Sequence, residues 1–351
     1  MKTDDIRRIL EMAVNAPSGD NSQPWRFEIS DDRISIYNVP EGDATLYNFR
    51  QRGSYLSHGA LVENICILAA AVGYSASVTP FPGDREKTAE IALSRTEEDF
   101  SDLSRVVSDR TTNRKPYEPR ALDAVHRDAL TQEVARFAPI CVRFVEGSES
   151  VGELSDTLSI NERILMENRS LHDFLFDMIR WTEAEEQMRP GLYIRTMEFP
   201  LPVRLMLRFV IRHWHLTRLL NAFGLSHTIP RQSSAGYAAS SAIGAIIMTG
   251  ERNEDFFNAG RAFERLWLRA TTLGLSLQPV TALPYLEQRL RSGQTETLSD
   301  AHKELVRIAN RHIHELFAIT ANEHAAMIFR IGYDGRPTAR SHKLPPRITS
   351  V

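Results

Sequence analysis

"GALVENICILAAAVG" at residues 59–73 and "GRAFERLWLRATTLGLS" at residues 260–276 follow one pattern. Gly59 aligns with Gly260, Glu63 with Glu264, Ala69 with Ala270, Gly73 with Gly274 and Ser75 with Ser276, each pair 201 residues apart without a gap. Ile65/Leu266, Ile67/Leu268 and Val72/Leu273 add three matched apolar positions. The first copy is apolar nearly all round, with Leu61, Ile65, Leu68 and Val72 at helical spacing, which only a helix inside a core tolerates. Gly73 fits its C-terminal stop. A constant offset points to a duplicated unit; two similar buried helices arising by chance is the alternative. A weaker echo pairs "SQPWRFEIS" (22–30) with "APICVRFVEG" (138–147), matching Arg26-Phe27 to Arg143-Phe144.

Ahead of the first copy, Thr3-Asp4-Asp5 is suited to start a helix with Ile6, Leu10 and Val14 on one face. "WRFEI" and "RISIYNV" read as strands joined by Ser30-Asp31-Asp32. Between helix and strand lies "APSGDNSQPWRF" (16–27), with more hydrogen-bonding groups than a plain loop needs and a glycine, Gly19, that lets backbone approach a flat ligand. Trp25, leading a buried strand, is expected in the core. The second copy keeps the strand and lacks this joint, so one site per chain is expected.

The chain has 351 residues, 42% hydrophobic and 25% charged, with a formal net charge of −3. That is long enough for two lobes and gives no overall reason to expect nucleic acid. Cys66 and Cys141 cannot form a disulfide framework and read as core thiols of a reduced, cytoplasmic protein. "MKTDDIRRIL" has no signal-peptide core, and Ala235–Gly250 is too short to span a bilayer, so a soluble chain is expected. His213-x-His215 and His312-x-His314 turn to different helix faces, so no metal site is expected. There is no P-loop, no nucleophile elbow and no Rossmann fingerprint.

"APSGDNSQPWRF" resembles the Ala-Pro-Ser-x-x-Asn-x-Gln-Pro-Trp signature of the FMN-dependent nitroreductase family. "DRTTNRKPY" (109–117) resembles the element with which the family's domains begin, and "FRIGYDGRPTARSHKLPP" their closing strand and basic tail. The opening element comes after a whole helix–loop–strand–helix unit, an order similar to the Acg-like branch, with two such domains fused. The resemblance implies an α+β, nitroreductase-like fold duplicated as an intrachain pseudo-dimer, with mixed central sheets flanked by helices. The halves would be 1–104 and 105–351, with a lid or insertion at about 180–235. It implies a flavin site between them, with Pro17, Ser18, Gly19, Asn21 and Gln23 from the first half. Arg110, Thr112, Arg114, Leu277, Gln278 and Arg340 or Lys343 would come from the second. Arg110 and Arg114, four apart beside Thr112, would clamp the FMN phosphate, for which a guanidinium offers a planar fork. The implied activity is hydride transfer from NAD(P)H, a transient reductant, through FMN to a small flat acceptor such as a nitroaromatic or quinone. No protein acid or base is assigned. A non-catalytic FMN-sequestering protein and a flavin-free interaction scaffold are the alternatives, and further homodimerisation is left open.

Residues 195–231 carry six arginines against one acid, Glu198. Arg204, Arg208 and Arg212 recur every four residues, expected as a basic stripe on a helix running through Leu216 and Leu220. A lid packed on the protein is the main reading, with a membrane-surface helix or contact with a protein partner or an NADPH phosphate as alternatives.

Overall fold

The computed structural model describes residues 3–83, 86–97 and 102–350, and residues 98–101, near the expected end of the first half, lie outside them. Eleven strands are present among these residues: β1 (Trp25–Ser30), β2 (Arg33–Asn38), β3 (Tyr74–Pro80), β4 (Lys87–Arg95), β5 (Cys141–Val145), β6 (Ile179–Arg180), β7 (Leu192–Tyr193), β8 (Ala242–Met248), β9 (Leu275–Pro279), β10 (His324–Tyr333) and β11 (Ile348–Ser350). They form a five-stranded sheet ordered β11-β1-β2-β4-β3, a four-stranded sheet ordered β5-β8-β10-β9, and the small pair β6-β7.

The two larger sheets repeat one topology. In each, the strand after the long apolar helix (β3 or β9) lies at the edge beside the next long strand (β4 or β10), and all six pairings in the orders β1-β2-β4-β3 and β5-β8-β10-β9 are antiparallel. The strands β1 and β5, which carry the weaker sequence echo, occupy matching places. The first sheet is mixed because β11, from the end of the chain, joins β1 in parallel. The second was expected to be mixed, but its parallel pairing is limited to one bridge, Thr112–Leu277, at its β9 edge.

The helices Arg52–Ala71 and Asn253–Thr272 pack on each other between the sheets and cross where Gly59 and Gly260 lie. Asp255 starts the second by accepting a 2.7 Å bond from Arg252 N, a carboxylate favoured in a first helical turn. Both end on a left-handed glycine, Gly73 (φ 79°) and Gly274 (φ 72°), the conformation that favours glycine at a helix stop. The first helix, Thr3–Ala13, buries Ile6 and Leu10 beneath the five-stranded sheet's core, where Trp25 is also buried.

The basic stripe expected on one helix is divided. A helix at Leu201–Met206 runs into a π turn at Leu207–Ile211, and a separate helix follows at Trp214–Asn221. The Ile211 carbonyl explains the break: it accepts from His172 Nε2 (2.8 Å) and from the Thr217 hydroxyl (2.5 Å) rather than continuing a helical ladder. No helix among the described residues is long and apolar enough to cross a membrane, and no His/Cys/Asp/Glu cluster among them is suited to a metal.

Candidate functional site

A cavity of about 650 Å³ opens beside the crossing of the long helices. Ten of the twelve residues singled out in the sequence line it: Pro17, Ser18, Gly19, Asn21, Arg110, Thr112, Arg114, Gln278, Arg340 and Lys343. Gln23 and Leu277 do not. Leu277 is a core side chain of β9, contributing only its backbone to the bridge with Thr112 and its carbonyl to Asn113 N. Gln23 is buried behind the loop, where its Oε1 accepts from Leu344 N at 2.9 Å.

The loop at 18–23 is strained in an unexpected place. The left-handed residues are Asp20 (φ 47°), Asn21 (φ 58°) and Gln23 (φ 51°), whereas Gly19 is not among them. Asp and Asn tolerate this region better than Gln, and three such residues in four mark a segment held by its surroundings. The hold comes from the far end of the chain. Asn21 Nδ2 donates to His342 O (2.9 Å), and Lys343 Nζ donates to Asn21 Oδ1 (2.8 Å) and Ala16 O (2.9 Å). Gly19 leaves room beside Asp43, whose Oδ2 would lie 3.4 Å from an added Cβ.

Arg110 and Arg114 do not form one clamp, because their charged neighbours differ. Arg110 is buried over the Trp267 ring at 4.3 Å, donates to Asn15 O, and lies 3.2 Å from Glu264 Oε1 without an aligned hydrogen bond. Its cationic neighbours are Arg340 and Lys343. Arg340 bonds Ser108 O and Asp109 O at 2.8 and 2.9 Å, its guanidinium bracing the turn before Arg110. Burial, reinforced by Arg110, pushes the Lys343 ammonium down to about 7. Burial also pushes Glu264 up to about 7 against the pull of Arg110. Arg114 faces another part of the cavity, donating to Thr196 O at 3.0 Å beside Asp20 and Tyr237.

Several side chains that line the cavity escape the sequence reading. Arg330 on β10 is buried and donates to Gln278 Oε1 (2.7 Å), Gly236 O (2.9 Å) and Lys115 O (2.8 Å). It thereby fixes the Gln278 amide and leaves its Nε2 to donate. Burial pushes Glu162 up to about 7; one of its oxygens accepts from the Tyr237 hydroxyl at 2.5 Å and the other has no partner. Asp43 is raised to about 7 by burial and by Asp20. The signal for Arg330 was a lone charge among Ile and Phe in a strand, a place where an arginine needs buried acceptors.

No family model matches the chain. An uncharacterized protein of Mycobacterium tuberculosis is 23% identical over 338 residues, covering 95% of this chain and 46% of that protein. The M. tuberculosis protein named "Putative NAD(P)H nitroreductase acg" is 28% identical over 195 residues, covering 52% of this chain and 56% of that one. The chain spans about half the length of these curated relatives. Among solved structures, an FMN-dependent nitroreductase from Clostridium difficile aligns with a TM-score of 0.40 and 12% identity, covering 72% of this chain and 99% of that chain. By its sequence matches, the chain is similar to M. tuberculosis proteins named putative NAD(P)H nitroreductases, Acg among them.

Proposed function

We propose that the chain is an FMN-dependent oxidoreductase that passes hydride from NAD(P)H to a flat acceptor such as a nitroaromatic or a quinone. One observation carries this reading: the 17–21 loop, the 110–114 segment and the 340–343 tail, remote in sequence, close a single cavity. The name of the Acg relative supports the redox class.

The residues present fit the cofactor. Arg110, Arg340 and Lys343 form a cationic group against one buried carboxyl, Glu264, an arrangement that favours an anion such as the FMN phosphate. Leu56, Ala60, Phe263 and Met327 supply apolar wall for a ring system, and the volume lies within the usual range of ligand sites, about 300–1,000 Å³. Ser18, Asn21 and Gln278 offer donors and acceptors for the polar edge of the ring. FMN, when bound, supplies hydride chemistry that no side chain has. The chain's own residues hold and orient: Arg330 fixes the Gln278 amide, and Lys343 ties Asn21 to the tail. Phe199, Met206 and Leu207 also line the cavity and form its cover.

The reading includes two related halves, 1–104 and 105–351, meeting at the long helices as an intrachain pseudo-dimer, with about 180–235 inserted in the second. One site per chain follows from what fills the opposite side of the helix pair. Ala60 lines the cavity, while its counterpart Arg261 sends a guanidinium to Glu63 at 2.9 Å, and Arg265 bridges Glu63 and Glu133. A cytoplasmic place fits the two unpaired cysteines.

A second reading, FMN storage without turnover, draws on the cover over the cavity. Anaerobic addition of NADPH to the FMN-loaded protein separates them. Bleaching of the flavin absorbance supports the oxidoreductase, an unchanged spectrum selects storage, and a protein that takes up no FMN overturns both.

A further inference from the structure

The outer face of the cavity's cover is unlike the rest of the surface. Among the described residues, twelve large hydrophobic side chains are exposed, and eight of them lie between Phe199 and Phe223, six of these outside the cavity lining. That concentration makes a patch rather than scatter. Leu201, Leu205 and Phe209 recur every four residues along the first helix and its π turn, Leu216 and Leu219 follow on the second, and Phe223 lies in the turn after it.

The charge in this stretch is of one sign. Residues 199–223 hold Arg204, Arg208, Arg212 and Arg218 and no acidic residue, in a chain whose formal net charge is −3. Among the described residues, none of the four arginines forms an ion pair, whereas most buried or half-buried arginines elsewhere do. An apolar stripe flanked by uncompensated arginines matches an anionic bilayer, with the side chains entering the acyl boundary and the guanidiniums meeting phosphate. A second copy of the chain suits the patch less well. A two-fold interface would set the arginines of one copy against the same arginines of the other.

We propose that residues 199–223 form a docking surface for an anionic lipid bilayer. The inner side of the same segment, through Val203, Met206 and Leu207, lines the cavity, so docking places the cavity's cover at the lipid surface. The proposal stands on the exposed face alone and does not depend on which redox chemistry the cavity performs.

The test is co-sedimentation of the full chain with vesicles of phosphatidylcholine, with and without phosphatidylserine. Two double variants are compared, Leu205→Ser/Phe209→Ser and Arg212→Glu/Arg218→Glu, all at positions outside the cavity lining. Melting temperatures confirm that each folds. Wild type should pellet with phosphatidylserine vesicles and release at high salt. Each basic residue near such a surface contributes about fivefold in affinity, so the arginine variant should weaken binding at least about tenfold, and the apolar variant should also lose it. Failure of wild type to bind phosphatidylserine vesicles overturns the proposal, as does equal binding with and without the anionic lipid. A dimer in solution that either variant dissociates, without vesicle binding, assigns the patch to a second copy instead.

Discussion

Gly59 and Gly260 each pack against the backbone of the helix that carries the other. A Cβ on Gly59 would lie 1.9 Å from the Phe257 carbonyl oxygen, and one on Gly260 would lie 2.0 Å from that of Leu56. Phe257 is the counterpart of Leu56 at the same offset of 201, so the two contacts are reciprocal: each glycine meets the counterpart of the residue that the other meets. Only glycine lets the two backbones approach this closely.

Alanine at either glycine should therefore destabilise the fold by about 1–3 kcal/mol through overpacking. The double variant should cost less than the sum, because the first substitution already separates the helices. Gly152→Ala, in a helix with nothing within 4 Å of the added Cβ, is the control and should be neutral or slightly stabilising. Denaturant unfolding of all four proteins checks this; full additivity at Gly59 and Gly260 would mean the helices do not move apart together.

The phosphate assignment separates Arg340 from Arg114. Arg340→Ala should weaken FMN binding by about 1.5–3 kcal/mol, the range for a charged hydrogen bond, and leave riboflavin nearly unaffected. Arg114→Ala should affect FMN and riboflavin alike, since its charged neighbours are Asp20 and Arg330 rather than Arg340 and Lys343. Arg110→Ala should also lower the melting temperature, because it strands the buried Glu264. Equal losses for both flavins with Arg340→Ala would place the phosphate elsewhere.

Glu162 gives a pH dependence of definite sign. Burial pushes its carboxyl up to about 7, against about 4.3 in an unfolded chain. Between those values the folded chain holds a proton that the unfolded chain has released, so stability falls as pH rises. The slope from this group is at most about 1.4 kcal/mol per pH unit. Asp43 and Glu264 act in the same sense. Glu162→Gln should flatten part of the slope and gain stability, relative to wild type, above pH 7. An unchanged slope across this window would show that Glu162 ionises like an exposed carboxylate.

Gly19 and Trp25 should separate binding from folding. Trp25, only 3% exposed, should cost about 3–5 kcal/mol of stability as Ala. Gly19 has no left-handed φ and lines the cavity, so Gly19→Val should fold and bind FMN more weakly. Paired melting and affinity measurements on both variants decide it, and wild-type FMN affinity in Gly19→Val would remove the loop from the site.

What the sequence made legible is what repeats or follows local rules. The constant offset marked the two long helices as counterparts, and the strands at Trp25–Ser30 and Arg33–Asn38 were legible from their residues. The cavity-lining ten were reachable through short motifs. Arg330 and Glu162 were not, because their partners Gln278 and Tyr237 are brought to them only by the tertiary fold. The division near Ile211 was hidden for a similar reason: its cause is a hydrogen bond from His172, 39 residues away. Splitting the Arg110–Arg114 pair likewise needed the three-dimensional positions of Arg340 and Asp20.

The central claim, one FMN site per chain in the cavity beside Ala60, is tested most directly by titrating apoprotein with FMN and following flavin fluorescence. A single break at one equivalent is expected, shifted to weaker binding by Arg340→Ala. A break at two equivalents, which would require the side filled by Arg261 and Arg265 to open as a second site, or no saturable binding at all, would contradict it.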